Sequence, residues 1–385
     1  MQSAQQLLET LVGHPTVSRD SNLDLIRFIE GYLEDFGVPC QRIESDDGRK
    51  ANLLARIGPE HEGGVVLSGH TDVVPVDGQP WTSDPFALTE RGDGRLYGRG
   101  SCDMKGFIAC ALAQVPRWVE QNLARPIYLA FSYDEEVGCV GAPRLIERLM
   151  ADAPRPAAVI VGEPTLMAPV VAQKGITNLR TTVTGLEAHS SQVNQGVSAI
   201  HVAARLVTRI EDIMAELREA GRVDEAFNVA HSSLHVGRIA GGTAINIMAR
   251  ECRFDWEIRH LPQDGFEAVY SRFEDYAESL ERELRQRAPQ VSIRTEPLTA
   301  TVPGLADRDN AAALSLCRAL LGESDTEAVA YATEAGQFQQ AGLPTVICGP
   351  GSIAQAHQPD EYLETAQLDA GMAFMHRLGD HLAGA

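Results

Sequence analysis

The groups in this chain best suited to chemistry are carboxylates and histidines that follow apolar runs. In Ile127–Gly138, IYLAFSYDEEVG, the run gives way to Asp134, Glu135 and Glu136. Its length and β-propensity are those of an interior strand, so the three acids fall where the strand's carboxyl end opens into a loop. Adjacent carboxylates repel one another. Solvent, basic partners or a metal ion must offset them, and a metal would leave one neighbouring carboxylate free to act as a base. Gly64–Gly69 has the same grammar and ends in His70-Thr71-Asp72, and Ala157–Val161 ends in Gly162-Glu163-Pro164-Thr165. Each has a plain alternative: acidic loops are usually solvated, and a lone histidine at a strand end is more often structural. Asp72, two positions beyond His70, is spaced to orient an imidazole. Asp103, bracketed by Gly98, Gly100 and Gly106 ahead of an apolar helix, suits either an N-cap or a carboxylate that shares its oxygens between two cations. His357 lies on a Gly- and Pro-bounded loop after the strand-like Pro344–Cys348. The recurrence outweighs the single alternatives, because open α/β sheets keep their ligand sites at the carboxyl ends of strands.

Together His70, Asp103, Glu136, Glu163 and His357 supply two neutral imidazoles and three carboxylates. That set suits two borderline divalent cations such as Zn²⁺ or Co²⁺, each taking one histidine and one carboxylate while the third carboxylate and a water bridge them. Two cations roughly 3.5–4 Å apart acidify the shared water and polarise a carbonyl. Glu135, beside a ligand but itself free, is the candidate base that takes the water's proton and returns it to a leaving amine. Such a device suits amide hydrolysis.

The positioning elements follow from periodicity. Helices are expected over Ala4–Val12 and from a Ser21/Asn22 cap to Phe36, and strands over Asn52–Ile57 and Gly64–Gly69, the second buried on both faces as in a parallel sheet. Pro75–Asp93 reads as a long loop of the kind kept for function. Near Lys174 the pattern changes: Ile176–Gly185, Asn228–Ile239 and Arg250–Arg259 alternate like half-exposed strands, with long amphipathic helices between and after them and a returning strand at Val291–Thr295. Beyond Pro297 the earlier grammar resumes, with a closing helix over Leu363–Leu382. The expected architecture is an α/β catalytic domain with a mixed, mostly parallel sheet between helices (residues 1–176 and 297–385), interrupted by an α+β sandwich (residues 177–296).

Composition bounds the partners. The chain has 385 residues, 44% of them apolar, and Lys+Arg 33 against Asp+Glu 53 gives a net charge of -20. That balance disfavours nucleic acid and anionic membrane as partners. Seven scattered cysteines without a CxxC point to a reducing compartment. Neither a signal peptide nor a membrane-spanning run is legible, so a cytoplasmic protein is expected.

HTDVVP, GRGSCDMKG, SYDEEVGCVGA, GEPT, EAHSS, GGTAINIM, EIRHLP and AQAHQPDEY occur in order along nearly the whole chain. They resemble the dizinc aminoacylase and carboxypeptidase superfamily, most closely its acetylornithine deacetylases. The resemblance implies that the inserted domain is a lid and dimerisation domain. It implies one metal held by His70 and Glu163, the other by His357 and Glu136, Asp103 between them, Asp72 orienting the first histidine and Glu135 as general base. It also makes His189 a group that polarises the substrate carbonyl, in one arrangement across a homodimer, and Asn246 and Arg259 holders of the substrate α-carboxylate. In relatives the peptide after the bridging aspartate is often cis. The implied reaction converts N2-acetyl-L-ornithine to acetate and L-ornithine, as in arginine biosynthesis. Desuccinylation of succinyl-diaminopimelate or deacylation of N-acetylcitrulline or another N-acyl amino acid are the alternatives.

Overall fold

The structure is a computed structural model that describes residues 2–219 and 222–384. Chain contacts divide it into two compact bodies: Met1–Ala172 with Leu305–Glu327 and Thr333–Ala385, and Gln173–Gly304 with Ala328–Ala332. The second body takes in residues 298–304 because Leu298 donates its N–H to the Asn178 carbonyl and Val302 bridges Ile176.

Among the described residues of the first body, an eight-stranded sheet runs in the spatial order Cys40–Glu44, Ala51–Ile57, Ile127–Ser132, Val65–His70, Ala158–Val161, Thr345–Ile347, Val170–Gln173, Glu327–Val329. Val65–His70 pairs in parallel with Ile127–Ser132 on one side and Ala158–Val161 on the other, and Ala158–Val161 pairs in parallel with Thr345–Ile347. The sheet is mixed and mostly parallel. All residues of Val65–His70, Ile127–Ser132 and Ala158–Val161 are buried, which is why their sequences are continuous apolar runs rather than alternations. Helices Ala4–Val12, Gly106–Glu120 and Thr365–Ala383 share one apolar cluster with the sheet, in which Trp118 is fully buried and donates Nε1–H to the Met375 carbonyl at 3.3 Å. A small second sheet joins Tyr362–Glu364, Arg95–Tyr97 and Thr89–Glu90. The closing helix therefore begins at Thr365 rather than Leu363, since residues 362–364 pair as a strand with Arg95–Tyr97.

The second body carries a four-stranded antiparallel sheet in the order Ser233–Gly241, Glu251–His260, Gly175–Thr184, Ser292–Pro297. Its central strands alternate as expected: Cys252, Phe254, Trp256 and Ile258 are buried, with Leu179 and Val183 on the neighbouring strand. Helices Ala199–Glu219 and Phe266–Arg285 cover that face, each large apolar side chain so buried contributing about 1.5–3 kcal/mol. The edge strand starts at Ser233, five residues later than its alternation predicts. Asp224 and Asn228 accept the N–H groups of Ala226 and Val229, local bonds that compete with a sheet ladder. No helix among the described residues is long and apolar enough to cross a membrane.

Candidate metal centre

Three adjacent parallel strands end at one rim of the sheet. His70 is the last residue of its strand, Glu135 and Glu136 follow Ile127–Ser132 by three and four positions, and Glu163 follows Ala158–Val161 by two. Asp103 comes from the segment Ser101–Lys105 ahead of helix Gly106–Glu120, where its φ of -120° is non-helical and the Asp103–Met104 peptide is cis. His357, at φ 61°, arrives on the loop after Thr345–Ile347.

These side chains meet. His70 Nε2 lies 3.1 Å from Asp103 Oδ1 and 3.7 Å from Glu163 Oε1. His357 Nε2 lies 3.4 Å from Asp103 Oδ2 and 3.0 Å from Glu136 Oε2. Each oxygen of the Asp103 carboxylate thus faces a different imidazole. Ligand atoms of His70, Asp103 and Glu136 fall within 4.8 Å of one another, as do those of His70, Glu135 and Glu163.

Four carboxylates against two histidines leave the cluster short of positive charge. Burial and the neighbouring Glu136 and Asp103 charges push the Glu135 carboxyl well above its ordinary range, against the pull of His70. Burial and the Asp103 charge do the same to Glu163, and raise Glu136 to about 7. Asp103 alone is lowered: burial opposes ionisation, but hydrogen bonds from His357 and His70 outweigh it. Burial disfavours the charged His70, yet its hydrogen bond to Asp103 and the Glu163 charge hold it well above its usual value. Hydrogen bonds to Asp103 and Glu136 raise His357 to about 10. Glu163 Oε1 is buried without a hydrogen-bond partner. Buried carboxylates this short of donors, beside two imidazoles, fit divalent cations such as Zn²⁺.

The supports differ in detail from the spacing argument. His70 Nδ1 lies 2.8 Å from the main-chain oxygen of Asp72, an acceptor only, so in the neutral ring Nε2 keeps its lone pair. The Asp72 carboxylate stands 3.6 Å from that nitrogen and is occupied elsewhere. It accepts the backbone N–H groups of Glu135 at 3.0 Å and Glu136 at 3.3 Å, and the Ser18 hydroxyl at 2.7 Å. Asp134, in left-handed conformation, pairs instead with Lys50, so the three-acid repulsion is relieved by one basic partner and one turn. Cys102 is buried with its thiol toward Ser352 and Gln355. Ser18 and Glu334 had no motif to announce them. Buried Glu334 accepts the hydroxyls of Ser68 and Ser132, tying together the two strands that deliver His70 and the acidic loop.

His189, Asn246 and Arg259 belong to the second body. His189 bridges Ile247, and the N–H of Ser190 bonds the Asn246 carbonyl at 3.0 Å, so these two are neighbours. Arg259 is not with them. It pairs with Glu257 at 2.8 Å near the far end of strand Glu251–His260, eight residues or about 27 Å along from Glu251.

The chain matches the model of Peptidase family M20/M25/M40 over residues 66–381. It is 35% identical to an acetylornithine deacetylase of Pasteurella multocida over 97% of this chain and 96% of that one. It is 36% identical to an acetylornithine deacetylase of Shigella sonnei over 94% and 92%. Among solved structures, the M20 family metallo-carboxypeptidase Sso-CP2 of Sulfolobus solfataricus has the same fold, with a TM-score of 0.75 at 16% identity and 100% of both chains covered. With strands, reactive side chains and full-length relatives in agreement, the chain belongs to peptidase family M20/M25/M40 and is a metal-dependent hydrolase of amide bonds.

Proposed function

We propose that the chain hydrolyses N2-acetyl-L-ornithine to acetate and L-ornithine, a step of arginine biosynthesis in the cytoplasm. The observation that carries the chemistry is the Asp103 carboxylate, with one oxygen 3.1 Å from His70 Nε2 and the other 3.4 Å from His357 Nε2. In this reading His70 and Glu163 hold one divalent cation, His357 and Glu136 the other, and Asp103 both. When bound, such a pair, Zn²⁺ with Co²⁺ able to replace it, lowers the pKa of water and polarises the scissile carbonyl. Glu135 takes a proton from the attacking water and delivers it to the departing amine, for which its raised affinity for a proton suits it. Asp72 holds the Glu135 and Glu136 backbone, and so the aim of base and ligand, through two N–H bonds. The substrate reading is supported by the relatives' acetylornithine deacetylase names, and by a net charge of -20 that favours a substrate with a distal ammonium. Turnover of acetylornithine against succinyl-diaminopimelate and N-acetylcitrulline tests it: no preference for the first overturns the substrate assignment and leaves the hydrolase.

In the same reading Arg259 and Asn246 grip the α-carboxylate and His189 polarises the acetyl carbonyl. The separation of Arg259 from the His189 and Asn246 pair supports a homodimer in which a second copy completes the site. Val193, Ile200, Ile245 and Ile247, exposed large apolar residues close to that pair in sequence, offer the inserted body a face to cover. Co-assembly of a Glu135→Gln chain with a His189→Ala chain tests the arrangement. Recovery of partial activity is expected, and none recovered from a verified mixed dimer overturns it.

A further inference from the structure

His70 and His357 are supported by separate networks. The His70 imidazole is held by the Asp72 main chain within the parallel sheet. The His357 backbone is in the left-handed region, which a residue with a Cβ adopts only when its surroundings hold it there. Its carbonyl accepts Gln79 Nε2–H at 3.0 Å. Gln79 Oε1 in turn accepts Arg99 Nη2–H at 2.6 Å and Trp81 Nε1–H at 3.0 Å. Arg99 Nη1 pairs with Glu361 Oε2 at 2.6 Å, and Glu361 Oε1 accepts the N–H groups of Cys102 at 3.0 Å and Asp103 at 3.1 Å. The Arg99 and Glu361 side chains are each 1% exposed. A buried ion pair is a poor source of net stability compared with packed apolar groups. Its use lies in where its ends are tied: one to the backbone of Asp103, the other through Gln79 to the backbone of His357. None of the three side chains is among the candidate ligands.

We propose that Gln79, Arg99 and Glu361 form a positioning relay between the backbones of Asp103 and His357, in which Gln79 is the member that sets the His357 half of the centre separately from the His70 half. This rests on the two-cation reading above. The long loop Pro75–Asp93, without a role in the chemistry until now, thereby gains one. It carries Gln79 and Trp81, and it is fastened to the His357 loop a second time where the Asp360 carboxylate accepts the Thr82 N–H, the Thr82 hydroxyl and Arg91 Nη2–H.

Two substitutions separate positioning from packing. Gln79→Glu keeps an acceptor for Arg99 and Trp81 but replaces the donor to the His357 carbonyl with an acceptor. Gln79→Leu removes both. Calorimetric titration of the metal-free full chain with Zn²⁺ is the readout, with thermal melting of the same samples. The wild-type chain is expected to take up two equivalents. Gln79→Glu should bind one as tightly as wild type and the other at least tenfold more weakly with Tm preserved, and Gln79→Leu should show the same split with a lowered Tm. Two unchanged equivalents in Gln79→Glu, or equal weakening of both, overturns the relay and leaves the two-cation reading standing. Fewer than two equivalents in the wild-type chain overturns both.

Discussion

His70 and His189 are the same residue type with opposite partners at Nδ1: a carbonyl oxygen for the first, a backbone N–H and a hydroxyl for the second. His70 Nδ1 faces the Asp72 carbonyl oxygen, so in the neutral ring Nε2 has a lone pair to offer a cation. His189 Nδ1 accepts the Ser191 N–H at 3.3 Å, which leaves Nε2 carrying the proton and fit to donate to a carbonyl oxygen. Their surroundings differ as sharply. The first ends a fully buried strand, whereas the second is an exposed residue next to a turn, with the Ser191 hydroxyl 2.9 Å from its ring. The contrast teaches that the first body fixes its clustered groups in a buried frame, and that the second presents His189 exposed and held only by its own turn.

The largest effect that tests this contrast is at the preset end. Glu135→Gln should lower kcat about 10³- to 10⁴-fold, near the upper range for a positioned general base, while metal content by plasma emission stays at the wild-type level. Equal loss of metal would show that Glu135 and Glu136 have exchanged roles. Next comes the packing that supports the inserted body. Trp256 is 3% exposed, lies 4.6 Å from Phe273 between ring centroids and donates Nε1–H to Thr181, so Trp256→Ala should cost about 3–5 kcal/mol in denaturant unfolding. A loss under about 1 kcal/mol would show that this body does not depend on its sheet face.

A third effect is proton linkage in the first body. His357, raised to about 10 in the metal-free cluster, carries a proton at neutral pH, and a cation can bind its ring only after that proton leaves. Zinc affinity should therefore fall as pH falls, about tenfold per unit for each proton expelled, and calorimetry in buffers of different ionisation enthalpy should register the release. Affinity independent of pH between 6 and 8 would exclude protonated histidine as the resting state. The smallest effect belongs to the second body: His189→Ala should lower kcat about tenfold to a hundredfold with metal content unchanged. Unchanged kinetics would remove His189 from the site.

Much of the first body was legible because its signals are local. The apolar runs before His70, Glu135 and Glu163 announce buried strands, and the strands proved to be adjacent and parallel with their ends at one rim. Cys40–Glu44 and Val170–Gln173 are short strands without such a signal: the first is a polar edge strand whose place comes from pairing with Ala51–Ile57 rather than from its own pattern. What the Asp72 carboxylate does was illegible for a different reason. Spacing relates it to His70, but its partners Ser18, Glu135 and Glu136 are distant in the chain, and the two glutamates reach it through main-chain N–H groups that carry no residue signature. Glu361 stood inside AHQPDEY without a role, since only the folded chain brings it to Arg99 and to the Asp103 amide.

The strand Glu251–His260 has a consequence for how the molecule behaves in solution. It acts as a rigid ruler, and the interval it sets between Arg259 and the His189 corner is several times the length of one extended residue. A ligand the size of an acylated amino acid cannot touch both marks on one ruler. Under the roles proposed for Arg259 and His189, specific activity should then fall on dilution, because an isolated copy would hold a complete hydrolytic core and still lack half of its grip.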